Sequence, residues 1–287
     1  MNSVSVIMPV KHSGRTIKAC LKSLREQTVK TKIIAVAGGS DPETAKAIGL
    51  RQAKDELVLL LAADNILPHR RWLEKMIQAL KRYPQATAAY PGRYTWRQQD
   101  NSLTRYFALL GANDPVAWFM GKADRQSYFV PIKPTRLVQF TRQNMPTLGD
   151  NGMLVWRRQL LKAKVDEAYF SHIDVFYDLV SLGLNQFVIV NESIIHDTGG
   201  KFWQFLRKRY RYMKNLYLKK LPVRRFQWLA RPQDYLRLIG YIIYSVSIIG
   251  PLLTALYGYS KKPDLAWFWH IIVCPALALV YALAVIL

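Results

Sequence analysis

Cysteine is almost missing from this chain of 287 residues: there are only two, Cys20 and Cys274, far apart in sequence. That excludes a disulfide framework and a four-cysteine zinc site. Acidic residues are also scarce, 19 against 41 Lys and Arg, for a net charge of +22. An excess of this sign points toward anionic partners, among which membrane surfaces and phosphates are the candidates. There is no low-complexity bias, and with 51% hydrophobic and 21% charged residues the chain is not disordered. The length suffices for one or two domains.

What the chain has in abundance is uncharged apolar sequence near its C-terminus. Leu238 to Tyr259 is 22 residues without a formal charge, and Leu265 to Leu287 is another 23. About 20 such residues in a helix span a hydrocarbon core. Tyr241, Tyr257, Tyr259, Trp267 and Trp269 lie near the ends, where amphipathic rings favour the headgroup zone. The expectation is a two-helix transmembrane hairpin over 238–259 and 265–287, joined by Ser260–Asp264. Before it, residues 201–237 hold twelve Lys/Arg and one acid, Asp234, or +11. By the positive-inside rule this multi-pass arrangement in the cell membrane places residues 1–237 in the cytoplasm, and no secretory leader is read before Val4. Aromatic residues and leucines interleave the basic run, which reads as an amphipathic helix lying on anionic membrane lipids. Nucleic acid, the usual rival for a basic aromatic segment, is not an expected partner.

The first two hundred residues alternate between strand and helix patterns. Val4–Pro9, Lys32–Ala37 and Glu56–Ala62 read as strands, and Gly14–Gln27, Pro42–Lys54 and Pro68–Arg82 as helices. This alternation with apolar strands predicts an α/β domain over 1–200 with a mostly parallel, Rossmann-like sheet. Ligands of such sheets bind beyond the carboxyl ends of the strands. That directs attention to the Gly38-Gly39-Ser40-Asp41 turn and to Asp64-Asn65.

The segments Val4–Val10, Val36-Ala37-Gly38-Gly39-Ser40-Asp41 and Leu59-Leu60-Leu61-Ala62-Ala63-Asp64-Asn65 succeed one another as in family 2 glycosyltransferases. Leu148-Gly149-Asp150-Asn151-Gly152 followed by Arg157-Arg158, Asp174 nine residues before Gly183, and His196 before the basic helix extend the resemblance over roughly residues 4–215. With the apolar C-terminal runs, the chain resembles the membrane-anchored polyprenyl-phosphate, dolichol-phosphate-type branch of that family. The resemblance implies a GT-A fold and inverting transfer of a sugar from a nucleotide sugar donor to a polyprenyl phosphate. It departs at three places: Ala37 stands where the family has an acid, Ala62-Ala63-Asp64 retains one carboxylate of an Asp-x-Asp motif, and Ser171-His172 replaces a Glu-Asp pair.

The resemblance and the chemistry together nominate residues. Departure of a nucleoside diphosphate needs a divalent ion, Mg²⁺ or Mn²⁺, as Lewis acid, and Asp64 is its natural anchor, with His196 as a second ligand. Pro9, Gly38, Ser40, Asp41 and Asp64 fall on the donor side, and Gly149 and Asn151 on the acceptor side. Lys201, Arg207 and Arg209 are placed to meet the diphosphate or an acceptor phosphate. Asp174 is the candidate base for a hydroxyl acceptor, whereas a phosphate acceptor needs none. Asp114 and Asp124 read as turn residues. Two alternatives remain: transfer to a hydroxyl of a lipid-linked glycan or glycolipid, and a non-catalytic membrane scaffold built on the same fold.

Overall fold

A computed structural model describes residues 3–10, 15–37, 42–165, 170–198 and 200–287. The chain divides into two compact units, one of residues 1–95 and 132–197, the other of 96–131 and 198–287.

The first unit is the α/β part. Strand β1 (Val4–Val10), helix α1 (Arg15–Arg25), β2 (Thr31–Ala37), α2 (Pro42–Gln52), β3 (Leu57–Leu60), β4 (Asn65–Ile66), α3 (Trp72–Arg82) and β5 (Ala88–Tyr94) follow in order. After residue 131 come β6 (Arg136–Gln139), β7 (Met153–Trp156), α6 (Arg157–Leu160), α7 (His172–Ser181) and β8 (Gln186–His196). The eight strands form one sheet in the order β2-β1-β3-β7-β5-β8-β4, with β6 also on β8. β1, β2, β3, β5 and β8 run one way, and β7, β4 and β6 run against them. Central strands are buried on both faces: all four residues of β3 and all seven of β5 are covered, which is why they read as unbroken apolar runs. Trp72, Leu73, Met76, Ile77 and Leu80 form the buried stripe of α3 at helical spacing. The eleven-residue β8 does the most for the site. Its first half pairs with β6 and its last two residues with β4, so its C-terminal end reaches the Asp64 turn.

The second unit is helical. α4 (Ser102–Leu110) and α5 (Pro115–Phe119) come from the excursion between β5 and β6. α8 (Phe202–Arg211), a π-helical turn over Tyr212–Leu218, α9 (Pro232–Ser247), α10 (Ile249–Lys261) and α11 (Trp269–Ile286) come from the C-terminal part. Its core joins Tyr106, Phe107, Leu109 and Leu110 of α4 to Trp267, Val273 and Leu277. Asp114 caps α5, accepting from the Val116 amide at 2.9 Å, which is the turn role expected of it.

Two expectations change here. The run 238–259 is not one helix: α9 stops at Ser247, Ile248 takes φ +61°, and α10 leaves at 84°. Pro251 lacks the amide hydrogen that would bond the Ser247 carbonyl, which interrupts the ladder in mid-run. The Tyr244 ring fills the corner so closely that a β-carbon on Gly250 would lie 2.4 Å from it. Leu265–Ile286 is the one helix among the described residues long and apolar enough to cross a membrane. The expected straight two-helix hairpin is therefore not seen, and a multi-pass arrangement is not supported: 238–259 would count as a second span only if the bent pair α9–α10 is taken as one. The second change concerns the basic run. Phe202, Phe205 and Leu206 pack onto the α4 and α11 core, while Trp203 stays exposed. Arg207, Lys208 and Arg211 stay exposed.

Candidate functional site

The two-residue strand β4 builds the centre of the site. Asn65 pairs with His196 across the β4–β8 ladder, and the Asp197 amide donates to the Asp64 carbonyl at 2.9 Å. The pairing brings the Asp64 carboxylate within 3.4 Å of His196 Nε2, although 132 positions separate them in sequence. The Tyr94 ring stacks on His196 with centroids 5.4 Å apart. Wholly buried Asn65 donates from Nδ2 to Asp64 at 2.9 Å and to Asn151 Oδ1 at 3.1 Å. Asn151, in the left-handed region at φ +55°, donates in turn to the Tyr94 hydroxyl at 3.0 Å.

A second layer was not read from the sequence. Lys46, on α2, donates to Glu43 Oε1 at 2.9 Å and to Asp150 Oδ2 at 2.8 Å. His172 Nδ1 lies 2.8 and 2.9 Å from the two Glu43 oxygens, and the His172 amide donates to Oε2 at 2.7 Å. With Glu43 ionised, Nδ1 must carry the proton of that contact. Burial opposes the Glu43 charge, but His172 and Lys46 outweigh it and hold the carboxyl well below its ordinary range. Burial likewise opposes the Lys46 charge, and Asp150 and Glu43 outweigh that and raise its pKa. Asp150 also accepts from the Asn151 amide at 2.9 Å. A continuous chain of contacts thus runs from His172 through Glu43, Lys46, Asp150, Asn151 and Asn65 to Asp64.

The acceptor-side glycine has a steric reason. Gly149 sits at φ +114°, and a β-carbon there would lie 2.6 Å from the Phe176 ring and 3.0 Å from the His172 carbonyl. The loop therefore lies directly on α7.

Of the sequence-nominated residues, the first unit joins Asp64, His196 and Asn151, with Gly149 two residues away in the same loop. Pro9 is half-buried near the end of β1, paired with Val36. Asp174 is in the first turn of α7 and fully buried. Gly38, Ser40 and Asp41 lie outside the described residues. Lys201, Arg207 and Arg209 belong to the second unit. There Lys201 and Arg207 are exposed, while Arg209 is drawn to Asp114 at 3.7 Å and donates to the Asn113 carbonyl. Arg209 thus has an internal anion, which its nomination as a phosphate ligand did not foresee.

The donor set can be tested against a divalent ion. Among the described residues no three or more His, Cys, Asp or Glu side chains group to hold a metal. Asp64 and His196 offer one oxygen and one nitrogen, and the buried Asn65 Oδ1 receives no hydrogen bond. That fits an ion of the Mg²⁺ or Mn²⁺ kind, which takes its remaining ligands from phosphate and water. It does not fit a closed structural site. Burial, and then the Asp64 charge, push the Cys20 thiol up to about 12, so this cysteine is inert.

No protein-family model matches the chain, and no curated protein does. Solved structures do. A mannosyltransferase from Pyrobaculum calidifontis, in complex with GDP-mannose and Mn²⁺, superposes with a TM-score of 0.50 at 14% identity, over 97% of this chain and 86% of its own. The fold is GT-A. Lower on the scale are S. aureus TarS with UDP-GlcNAc (TM-score 0.47, 11% identity, 98% and 90% covered) and a Mycobacterium tuberculosis glucosyl-3-phosphoglycerate synthase with Mn²⁺ and UDP-glucose (0.43, 13%, 74% and 77%). In this GT-A chain the Asp64–His196 pair lies at the strand ends, where open α/β sheets bind ligands.

Proposed function

We propose that the chain is an inverting glycosyltransferase that moves a sugar from a nucleoside diphosphate sugar to a polyprenyl phosphate at a membrane surface. The observation that carries the reading is the Asp64–His196 pair, one carboxylate and one imidazole 3.4 Å apart in a GT-A fold. A divalent ion between them would supply Lewis-acid charge to the departing diphosphate. Asp64 would hold that charge in place, Asn65 would fix the carboxylate through its amide, and Tyr94 would keep the imidazole ring oriented through stacking.

The burial of Asp174 supports a phosphate acceptor. A sugar hydroxyl needs a base within hydrogen-bond reach, and a fully buried carboxylate offers none to an incoming acceptor. A lipid phosphate with a second pKa near 6 is already nucleophilic at neutral pH. The phosphate oxygen attacks the anomeric carbon, the bond to the nucleoside diphosphate breaks, and no proton need move. The excess of basic residues, and +11 in residues 201–237 alone, suits an anionic lipid acceptor and its surroundings.

The test is to incubate the full chain with GDP-mannose, UDP-glucose and UDP-GlcNAc in turn, with undecaprenyl phosphate and Mn²⁺, and to weigh the lipid products by mass spectrometry. One donor is expected to give a sugar-phosphate lipid. Asp64→Asn should lower its formation by about 10²-fold or more, while Asp174→Asn retains most of it at temperatures where both variants are folded. A product formed only on a hydroxyl acceptor, and lost in Asp174→Asn, would replace the acceptor. Absence of any metal-dependent turnover of donor would leave a non-catalytic GT-A scaffold.

A further inference from the structure

The C-terminal helix is tied at both ends to one short stretch of chain. Just before α11, Asp264 takes Arg105 Nε at 2.9 Å and Trp96 Nε1 at 2.6 Å, with its side chain only 5% exposed. The Lys262 ammonium lies 3.9 Å from the centroid of the Trp96 ring. In the first turn Trp269 donates to Ser102 at 2.8 Å, and Tyr106 and His270 meet at 2.7 Å. Toward the other end the Tyr281 hydroxyl donates to Asp114, which Arg209 also approaches. Asp264 and Tyr281 are 17 positions apart, about 26 Å along a helix, which is most of a ~30 Å hydrocarbon core.

All those partners except Arg209 belong to the excursion 96–131, which leaves the first unit after Thr95 and returns to it at Ile132. Its helices are too short to cross: nine residues in α4 and five in α5, about 14 and 8 Å. The remainder is irregular and carries Arg97, Asp100, Lys122 and Arg125. If α11 crossed a bilayer, this excursion would have to follow it and return. Irregular backbone and several charges would then sit at membrane depth, where lipid satisfies neither.

The free apolar surface lies elsewhere. Leu236, Ile239, Ile243 and Val246 recur on one face of α9, and Ile249 and Leu253 on α10, each more than half exposed. Both helices have basic outer ends, Arg231 and Arg237 on one side and Lys261 and Lys262 on the other, and they meet at the 84° corner. Cations above an apolar wedge complement the headgroups and acyl region of an anionic leaflet.

We propose that the second unit docks on one leaflet of an anionic bilayer, inserting the α9–α10 corner while α11 stays on the side it came from. The proposal rests on the membrane setting of the function proposed above, and refines it from crossing to lying in the interface. The experiment places single cysteines at Ser260, before α11, at Leu287, after it, and at Ser181, at the end of α7 in the first unit, all exposed. Cells producing the full chain are treated with a membrane-impermeant maleimide before and after permeabilisation, with the unsubstituted protein as control because both natural cysteines are buried. Docking predicts that Ser260→Cys, Leu287→Cys and Ser181→Cys all label from the same side. Labelling of Leu287→Cys or Ser260→Cys in intact cells, with Ser181→Cys reached only after permeabilisation, would overturn it. A second arm floats purified full-length protein with vesicles of phosphatidylglycerol and phosphatidylcholine, or phosphatidylcholine alone. The anionic vesicles should carry it, and the double variant Ile243→Glu/Leu253→Glu should lower partitioning by about tenfold or more with unchanged Tm. Failure of the parent to float with anionic vesicles, or full flotation of the double variant, also refutes docking. Labelling reports sidedness whether or not sugar is transferred, so a crossing helix would sink the docking and leave the transferase reading standing, and an inactive donor panel would do the reverse.

Discussion

Lys46→Met removes the cation at the heart of the buried network and tests whether the second layer supports the first. The Lys46 side chain is 3% exposed and bonded to both Glu43 and Asp150. After the change Glu43 keeps His172, and Asp150 keeps the Asn151 amide but loses the Lys46 ammonium. Breaking a buried ion pair on one side costs about 3–5 kcal/mol. Asp150 is 21% exposed, so water reaches it and the lower end, about 3 kcal/mol, applies. For a unit of this size that lowers Tm by about 6–12 °C, read by calorimetry as the first transition. Because Asp150 positions Asn151, and Asn151 the Asn65–Asp64 pair, sugar transfer measured well below Tm should also fall by about tenfold or more. Lys32→Met is the internal control. Lys32 meets Asp55 at 2.7 Å, but its side chain is 54% exposed, so its loss should cost under about 1 kcal/mol. A Lys46→Met protein no less stable and no less active than Lys32→Met would refute the reasoning.

Glu43 has a folded pKa below its unfolded value of about 4.3. Its ionised form therefore contributes stability that is fully present above about pH 4.3 and is lost as pH falls through the lower folded value. The Tm gap between the parent protein and Glu43→Gln should accordingly narrow below about pH 4.3, and a gap that widened there would contradict the assignment. Gly149→Ala should cost about 2–4 kcal/mol, because it combines a positive φ with a clash on Phe176, and urea titration of the variant measures it.

The strands and helices of residues 4–82 were legible because their signals are local. The pattern expected over Lys32–Ala37 is β2 at Thr31–Ala37, and that over Pro42–Lys54 is α2 at Pro42–Gln52. The Asp64–His196 contact was reached only through family resemblance, since the two-residue β4 that makes it has no periodicity to detect. Lys46 was invisible for a different reason. A lysine in a helix ordinarily reads as a solvated face, and its partners Asp150 and His172 lie 104 and 126 positions away. The broken run at 238–259 shows composition overruled by geometry. Every residue suited a membrane helix, yet Gly250, Pro251 and the Tyr244 ring made a corner. Residues 96–131 had no assigned place, because what they pack on lies far downstream, from Phe205 on α8 to Asp264 before α11.

That last separation has a consequence for how the protein is made. On the ribosome α4 emerges with Tyr106, Phe107, Leu109 and Leu110 ready for burial, but Trp267, Val273 and Leu277 do not yet exist. At a synthesis rate of about 5–20 residues per second the wait lasts roughly 8–30 s. Meanwhile β6, β7 and β8 can complete the sheet around the interruption. The nascent chain therefore carries a naked aromatic helix on a growing α/β unit, a target for holdase chaperones or a nearby lipid surface. Stalling or truncation before residue 265 would leave that face permanently without Trp267, Val273 and Leu277, and such fragments should aggregate even though every strand of the sheet has been synthesised.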